Sequence, residues 1–485
     1  MSRRRRAALV TLISAQFVVM LDTAVVNVAL PSIQHDLGLT QTGVAWVVNS
    51  YFLAFGGFLL LSGRASDLFG NRRMFMAGAA LFTATTLMAG FAPTEAVLIL
   101  ARSLQGLGAA VLSPAAMSII LLQFPGDERA RAMGAWGAAS AAGGAVGVSV
   151  GGLITAAAGW QWVFFLTVPV TLLAFVCAPL LVVGPSGPRV RRSFDLRGAI
   201  SVTGGALALI YATLSIADQG WFSVQAVGGA LAGIGLIVGF VVIERHAVDP
   251  IIPLTLFRER TVSAGVVVGL LGGAARVSTF FLSALYLQQV LELEPGTAGM
   301  AMLPTSIAGF LVSLLLLPRI IRTLGAARTL TLGLLLLACG HLWLSRTPPG
   351  AGYGLDVFPG LLLAAAGVAL SFTPSTMVIA SGVPSTMPGL ASGLSNASSQ
   401  IGAAVGIAAF SAAAALSARE AGAARIADVP ALAAGFHAAF IAAGLVAALG
   451  ALVALCFLRP AAAGLRQAVR PEPLSDSTTR KVNVP

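Results

Sequence analysis

Fourteen windows of about twenty apolar residues recur along the 485-residue chain. They lie near 8–31, 43–63, 73–92, 95–120, 131–157, 161–183, 197–217, 224–244, 261–290, 296–319, 326–346, 355–380, 388–418 and 434–458. Twenty residues of α-helix rise about 30 Å, the thickness of the hydrocarbon core of a bilayer. The pattern reads as an all-α membrane protein of fourteen spans, an even number that puts both termini on one side. Charged residues make up 10% of the chain and hydrophobic ones 57%, whereas a soluble domain carries about 25% charge. A large globular core is excluded on that ground. The 55 glycines suit helices whose backbones approach closely in lipid. The apolar run after Arg3 to Arg6 is too long for a cleavable signal and reads as a retained first span. Cys177, Cys339 and Cys456 fall in separate apolar windows and read as small core residues.

The formal charge of +11 is explained by topology. With the N-terminus in the cytoplasm and the windows alternating, 24 of the 29 basic residues fall on the inner side and three on the outer. That asymmetry is what the positive-inside rule demands. The basic residues are spread over the inner loops, so nucleic acid is not an expected partner. The expected location is the cytoplasmic (inner) cell membrane.

The loops suggest a plan of a six-span bundle over 1–190, two additional linker spans over 191–250, a second six-span bundle over 251–460 and a disordered cytoplasmic tail over 461–485. A weak internal repeat supports two related halves. The loop Gly63 to Arg73 recurs 255 positions later as Pro318 to Arg328, with Arg64, Gly70 and Arg73 returning as Arg319, Gly325 and Arg328 and Asp67 replaced by Arg322. Halves related in this way place a binding site near the midplane between them.

Asp22 stands near the middle of the first window, in the stretch Met20-Leu21-Asp22-Thr23-Ala24-Val25-Val26-Asn27. An ionised Asp at the centre of a spanning helix costs about 2.5–3.5 kcal/mol, so it belongs beside a cavity, a partner or a proton path. Arg102 in the fourth window keeps its charge in any protein environment. It either pairs with a buried acid or snorkels to the outer interface. Arg276 in the ninth window is a second permanent charge, free to pair with Asp22, bind an anion or meet a backbone carbonyl. Gln16, Thr23, Asn27, Asn49, Phe281 and Gln288 are further candidates for a substrate cavity, with Trp46, Tyr51, Gln289, Asn396 and Gln400 weaker ones. His341 reads as packing. Gly143, Gly147, Gly151 and Gly152 place small residues at turn-like intervals in the fifth window, a pattern for close helix packing.

The single lysine, Lys481, rules out a lysine-bearing phosphate loop, and neither metal-ligand spacing nor a nucleophile–base set is present. No enzyme activity, metal or cofactor is expected.

From about Arg6 to Pro460 the sequence resembles the major facilitator superfamily, specifically its fourteen-span drug:proton antiporters. Leu21 to Pro31 matches the first-span signature of that family. Gly63, Asp67, Gly70, Arg72 and Arg73 stand where the family has them in the loop after span two, while Leu68 and Asn71 depart from its usual arginines. The resemblance implies the major facilitator fold, two six-helix bundles plus two extra spans. It implies proton coupling through Asp22 tuned by Arg102. It also implies a conformational latch at Gly63–Arg73, in which a tight glycine turn lets Asp67 meet a helix N-terminus or an arginine. The glycines of span five resemble the antiporter motif, except that Val148 stands where the family has proline. The expectation is therefore a monomeric proton-coupled exporter of small hydrophobic or amphipathic compounds such as drugs, antibiotics and antiseptics, its partners being substrate, protons and lipid. A facilitator or importer of a small metabolite is the alternative, supported by Val148 and Arg276. A non-transporting membrane sensor is a more distant one, because a scaffold has no use for the insertion cost of Asp22 and Arg102.

Overall fold

The computed structural model describes residues 3–39, 41–181, 195–220, 222–247, 250, 252–348, 352–384, 386–420 and 429–458. The expected boundaries near 190 and 460, residue 251 and the tail 461–485 lie outside the described residues. Within them the chain is helical, without strands. The first seven helices are α1 (Arg3–Leu37), α2 (Gln41–Phe69), α3 (Asn71–Gly90), α4 (Glu95–Gln123), α5 (Asp127–Ala158), α6 (Gln161–Phe165) and α7 (Val168–Leu181). A helical hairpin follows, α8 (Leu196–Gln219) and α9 (Val224–His246). The last helices are α10 (Arg260–Gln289), α11 (Pro295–Leu311), α12 (Leu317–Leu344), α13 (Phe358–Gly382), α14 (Pro388–Glu420) and α15 (Val429–Phe457).

Local chemistry sets several helix ends. Thr94, Asp195 and Ser223 cap α4, α8 and α9 by accepting from Val97, Gly198 and Ala226 N–H, which satisfies donors that a helix start leaves unpaired. Pro318 has no N–H to return to the preceding turn, and the chain opens there into a π turn over Val312–Leu316. The internal repeat is visible in the backbone. Gly70 between α2 and α3 and Gly325 inside α12 take φ of +95° and +78°, a region that disfavours side chains. Gly325 thus separates the tenth and eleventh windows within one nominal helix.

Nine helical runs among the described residues are long and apolar enough to cross a membrane. One of them, Thr297–Leu344, holds two of the expected windows. The four windows outside those runs lie on α3, α5, α8 and α14. These helices are rich in Gly, Ala, Ser and Thr, and within α8 the stretch Arg197–Ala212 is a shorter apolar helix.

The seam between α1 and α5 shows how. A Cβ on Gly143 would overlap the Phe17 carbonyl oxygen, one on Gly147 would sit 2.6 Å from the Ala24 Cβ, and one on Gly151 3.1 Å from the Val25 Cα. Three glycines four residues apart therefore bring two backbones into contact along two turns. Gly152 faces Val28 more loosely, at 3.6 Å. Val148 lies on α5, with its side chain outside the described residues.

Helices α1–α7 and α10–α15 form two groups that meet at one end. There α2 crosses α14 so closely that a Cβ on Gly63 would overlap the Gly389 carbonyl oxygen. Ser118 on α4 and Ser392 on α14 are 3.1 Å apart, Oγ to Oγ, and Ser392 donates to the Pro114 carbonyl at 3.0 Å. Thr373 on α13 donates to the Met133 carbonyl on α5, and Gly134 rests on Pro318 and the Ser313 carbonyl. This is the end at which α1 begins, since Arg5 pairs with Glu128 at the start of α5 (3.0 Å). The hairpin α8–α9 packs on α2 and α14 across the junction. A leucine at Gly147 must part α1 from α5. A Gly147→Leu chain is expected to lose most of its folded yield in membranes and to unfold at a lower temperature. Fluorescence-detected gel filtration with a thermal ramp reads both, and a wild-type profile would contradict the seam's role.

Candidate functional site

Asp22 and Arg102 meet inside the first group, each about 1% exposed. Arg102 Nη1 donates to Asp22 Oδ2 at 2.6 Å and to Gln105 Oε1 at 2.5 Å. Gln105 Nε2 in turn donates to Asp22 Oδ1 at 2.8 Å and to Thr86 Oγ1 at 2.7 Å, and Thr86 passes its proton to the Phe82 carbonyl. The three side chains form a closed ring in which each donor faces an acceptor. This arrangement fixes the amide orientation, because a flipped Gln105 would set N–H against guanidinium. Arg102 Nε donates to the Val47 carbonyl at 3.3 Å, and the guanidinium carbon lies 4.3 Å from the Tyr51 ring centroid. A cation over an aromatic face in a desolvated site is stabilised by about 2 kcal/mol.

The helices are held close enough for this by Gly106, next to Gln105, whose missing side chain leaves room for the Tyr51 backbone on α2. Arg102 therefore does not snorkel; it is consumed by the acid. Each Asp22 oxygen accepts one hydrogen bond, Oδ2 from Arg102 and Oδ1 from Gln105.

The other expected site residues are placed as follows. Gln16 is buried between helices, donating to Ser140 on α5 and accepting from Ser113 on α4. Thr23 donates to the Met20 carbonyl one turn back. Asn27 and Gln288 are exposed, and Asn49 and Phe281 half-buried. Arg276 lies on α10 beside Ser399 and Phe372 and does not pair with Asp22. His341 is buried on α12, its Nε2 3.1 Å from Thr279 Oγ1. In the expected latch, Asp67 Oδ1 and Oδ2 accept from Gly389 and Leu390 N–H at 2.7 and 2.8 Å. Its carboxylate thereby caps the N-terminus of α14 in the other group, where the helix dipole favours a negative charge. Arg72 reaches the Pro179 carbonyl on α7, and Arg73 is exposed.

Gln105, Thr86 and Tyr51 are the members of the ring and its platform that residue-by-residue reasoning left without this role. Gln105 had a readable signal, lying three residues after Arg102 and so on the same helix face. Thr86 and Tyr51 had none, since nothing local says which helix will lie beside α4. A wide cavity lined by Trp343, Arg346 and Asp356 is far from this chemistry, at the other end of α12 and α13.

Residues 12–407 match the model of the Major Facilitator Superfamily. The chain is 37% identical over 419 residues to a puromycin resistance protein of Streptomyces alboniger, covering 84% of this chain and 81% of that one. It is 37% identical over 408 residues to a cephamycin export protein of Amycolatopsis lactamdurans, covering 83% of each. The crystal structure of the human organic anion transporter MFSD10 superposes with a TM-score of 0.67 over 94% of this chain and 100% of that one, at 14% identity, a likeness of fold alone. The chain thus belongs to the Major Facilitator Superfamily, among relatives that confer antibiotic resistance or export antibiotics.

Proposed function

We propose that this transporter exports small hydrophobic or amphipathic compounds in exchange for protons. In this reading it is a monomer in the cytoplasmic membrane, with fourteen spans and both termini inside. The bundles over 1–190 and 251–460 rock about a midplane site, linked by the spans of 191–250. The observation that carries the reading is the closed ring of Asp22, Arg102 and Gln105. A carboxylate this far from water, with both oxygens occupied by donors, is a switch that one proton opens and one deprotonation resets. Substrate held near Thr23 and Asn27, further along α1, competes for the opened state. The inward-directed proton gradient supplies the work: one charge crossing 100 mV yields about 2.3 kcal/mol.

The latch gives the second half of the cycle. With the termini inside, the contacts at Gly63, Asp67 and Ser118 close the cytoplasmic side, so the described state faces outward. Release of Asp67 from the α14 N-terminus lets the inner side open. Puromycin and cephamycin, after the two relatives, are the natural first probes.

Two experiments test this. In reconstituted vesicles, adding a transported drug is expected to release protons from wild type, while Asp22→Asn gives none and still purifies as a monodisperse protein. Equal release from both would remove Asp22 from the coupling. In the second, Ser118→Cys and Ser392→Cys are combined in a chain whose Cys177, Cys339 and Cys456 are replaced by serine. The 3.1 Å between the native hydroxyls is within reach of a disulfide after small side-chain shifts. Oxidation is expected to stop drug transport and reduction to restore it, whereas a cross-linked chain working at the uncrosslinked rate would refute rocking about this seam.

A further inference from the structure

Among the described residues, Arg276 is a buried cation without a counter-ion. It is 6% exposed. The 255-residue offset of the repeat carries Asp22 to position 277, so Arg276 occupies nearly the place in the second half that the carboxylate holds in the first. In the first half the charge is neutralised by its neighbour, and here it is not. Helices α10, α11, α12, α13 and α15 contain no Asp or Glu, and α14 has only Glu420 at its far end. Arg276 Nη2 donates to Ser399 Oγ at 3.0 Å and the guanidinium carbon lies 5.7 Å from the Phe372 ring centroid. Nη1 is fully buried and has no hydrogen-bond partner. A guanidinium cannot escape by losing its proton, and an unsatisfied buried charged donor is costly.

The space beside it is shaped for one small group. A cavity of about 10 Å³ is bounded by Arg276, Phe372, Ser375, Asn396 and Ser399 among others, room for a single water-sized occupant. Its lining offers donors. Ser399 accepts from Nη2, which leaves its own O–H free to donate, and Nη1 adds unspent N–H. Gly272, one turn earlier on α10, leaves room for the guanidinium: a Cβ there would stand 2.6 Å from Nη1. Asn396 and Ser399 are half-buried, so the cavity borders open space on the α14 side.

We propose that Arg276 is an anion site, taking one compact monovalent anionic group on Nη1 and the Ser399 hydroxyl. The group is a carboxylate carried by a transported compound or a free halide. In the first form the proposal rests on the export reading and narrows it to substrates with an apolar body and an acid group. In the second the anion is resident and neutralises the bundle.

The test is thermal unfolding of the purified full-length chain at constant ionic strength, with sodium HEPES, whose sulfonate is bulkier than a halide or a carboxylate, replaced stepwise by sodium chloride, acetate or benzoate. Wild type is expected to show a saturable rise in unfolding temperature, Arg276→Lys a smaller one and Arg276→Gln none. In HEPES alone Arg276→Gln should unfold no earlier than wild type, because it removes an uncompensated charge. Benzoate against methyl benzoate separates the sources. If benzoate stabilises wild type more than its ester and more than chloride, and Arg276→Gln erases the difference, the group is a substrate carboxylate. If chloride alone acts, the anion is free. Identical anion responses in wild type and Arg276→Gln, or an Arg276→Gln chain destabilised in HEPES, would overturn the proposal and make Arg276 a structural cation. No export or proton movement enters the measurement, so it fails or succeeds independently of the antiport reading.

Discussion

A bilayer interior offers no water to a charge, and the contact between Asp22 and Arg102 is the structure's answer to that constraint. Removing either partner leaves the other buried and uncompensated, a loss of about 3–5 kcal/mol. The pair is not simply neutralised. Gln105 bridges the second Asp22 oxygen and Arg102 Nη1, Thr86 accepts from the Gln105 amide, and the Val47 carbonyl accepts from Arg102 Nε. Such a network has one satisfied arrangement, which holds α1, α3 and α4 in register through hydrogen bonds where lipid provides no hydrophobic drive between helices. The rest of the first group is arranged to let those helices come that close.

Closeness is supplied by missing side chains. The Gly143–Gly147–Gly151 seam sets α5 against the segment of α1 that flanks Asp22, and Gly106 sets α2 against α4 at the ring itself. The same device recurs at the junction of the two groups, where Gly63 and Gly389 let α2 and α14 touch and bring the Asp67 carboxylate to a helix N-terminus. The seam and the latch differ in consequence. The first joins helices of one group over a long, dry line of contact. The second includes charge-assisted hydrogen bonds between separate groups, from the start of α14 to Asp67 near the end of α2, contacts of the kind that a conformational change can break.

Much of this was legible in the amino-acid sequence, for identifiable reasons. Window length reports span length, so the fourteen apolar windows fall on the helices described. Buried charge reports the need for a partner, so Asp22 and Arg102 stood out. A glycine flanked by arginines recurring at a fixed offset reported a turn, and Gly70 and Gly325 both adopt positive φ. Tertiary neighbours were not legible. Gln16 carries the same polar signal as a cavity residue, yet its amide is spent on Ser113 and Ser140 inside a three-helix junction. Tyr51 reads as apolar surface and instead forms the platform beneath a guanidinium. Which helices pack side by side depends on contacts between residues on separate helices, 19 apart for Thr86 and Gln105 and 97 apart for Gln16 and Ser113, and one sequence without its relatives holds no periodic trace of them.

The two groups end with unlike electrostatics at like positions, and this asymmetry bears on how one event reaches the other group. Asp22 Oδ2 accepts from Arg102 and Oδ1 from Gln105, so a change at this carboxylate is felt by the helices that carry it and its donors. Whatever movement of α1 follows is felt first by α5, because their backbones touch along the glycine seam. The far end of α5 is also where Gly134 rests on Pro318 and Met133 accepts from Thr373. A carboxylate in one group and the junction with the other are therefore joined through α5, which meets α1 along glycines and meets the second group at Gly134 and the Met133 carbonyl. Close packing of this sort transmits strain instead of absorbing it, so α5 is placed to pass a displacement of α1 to the junction.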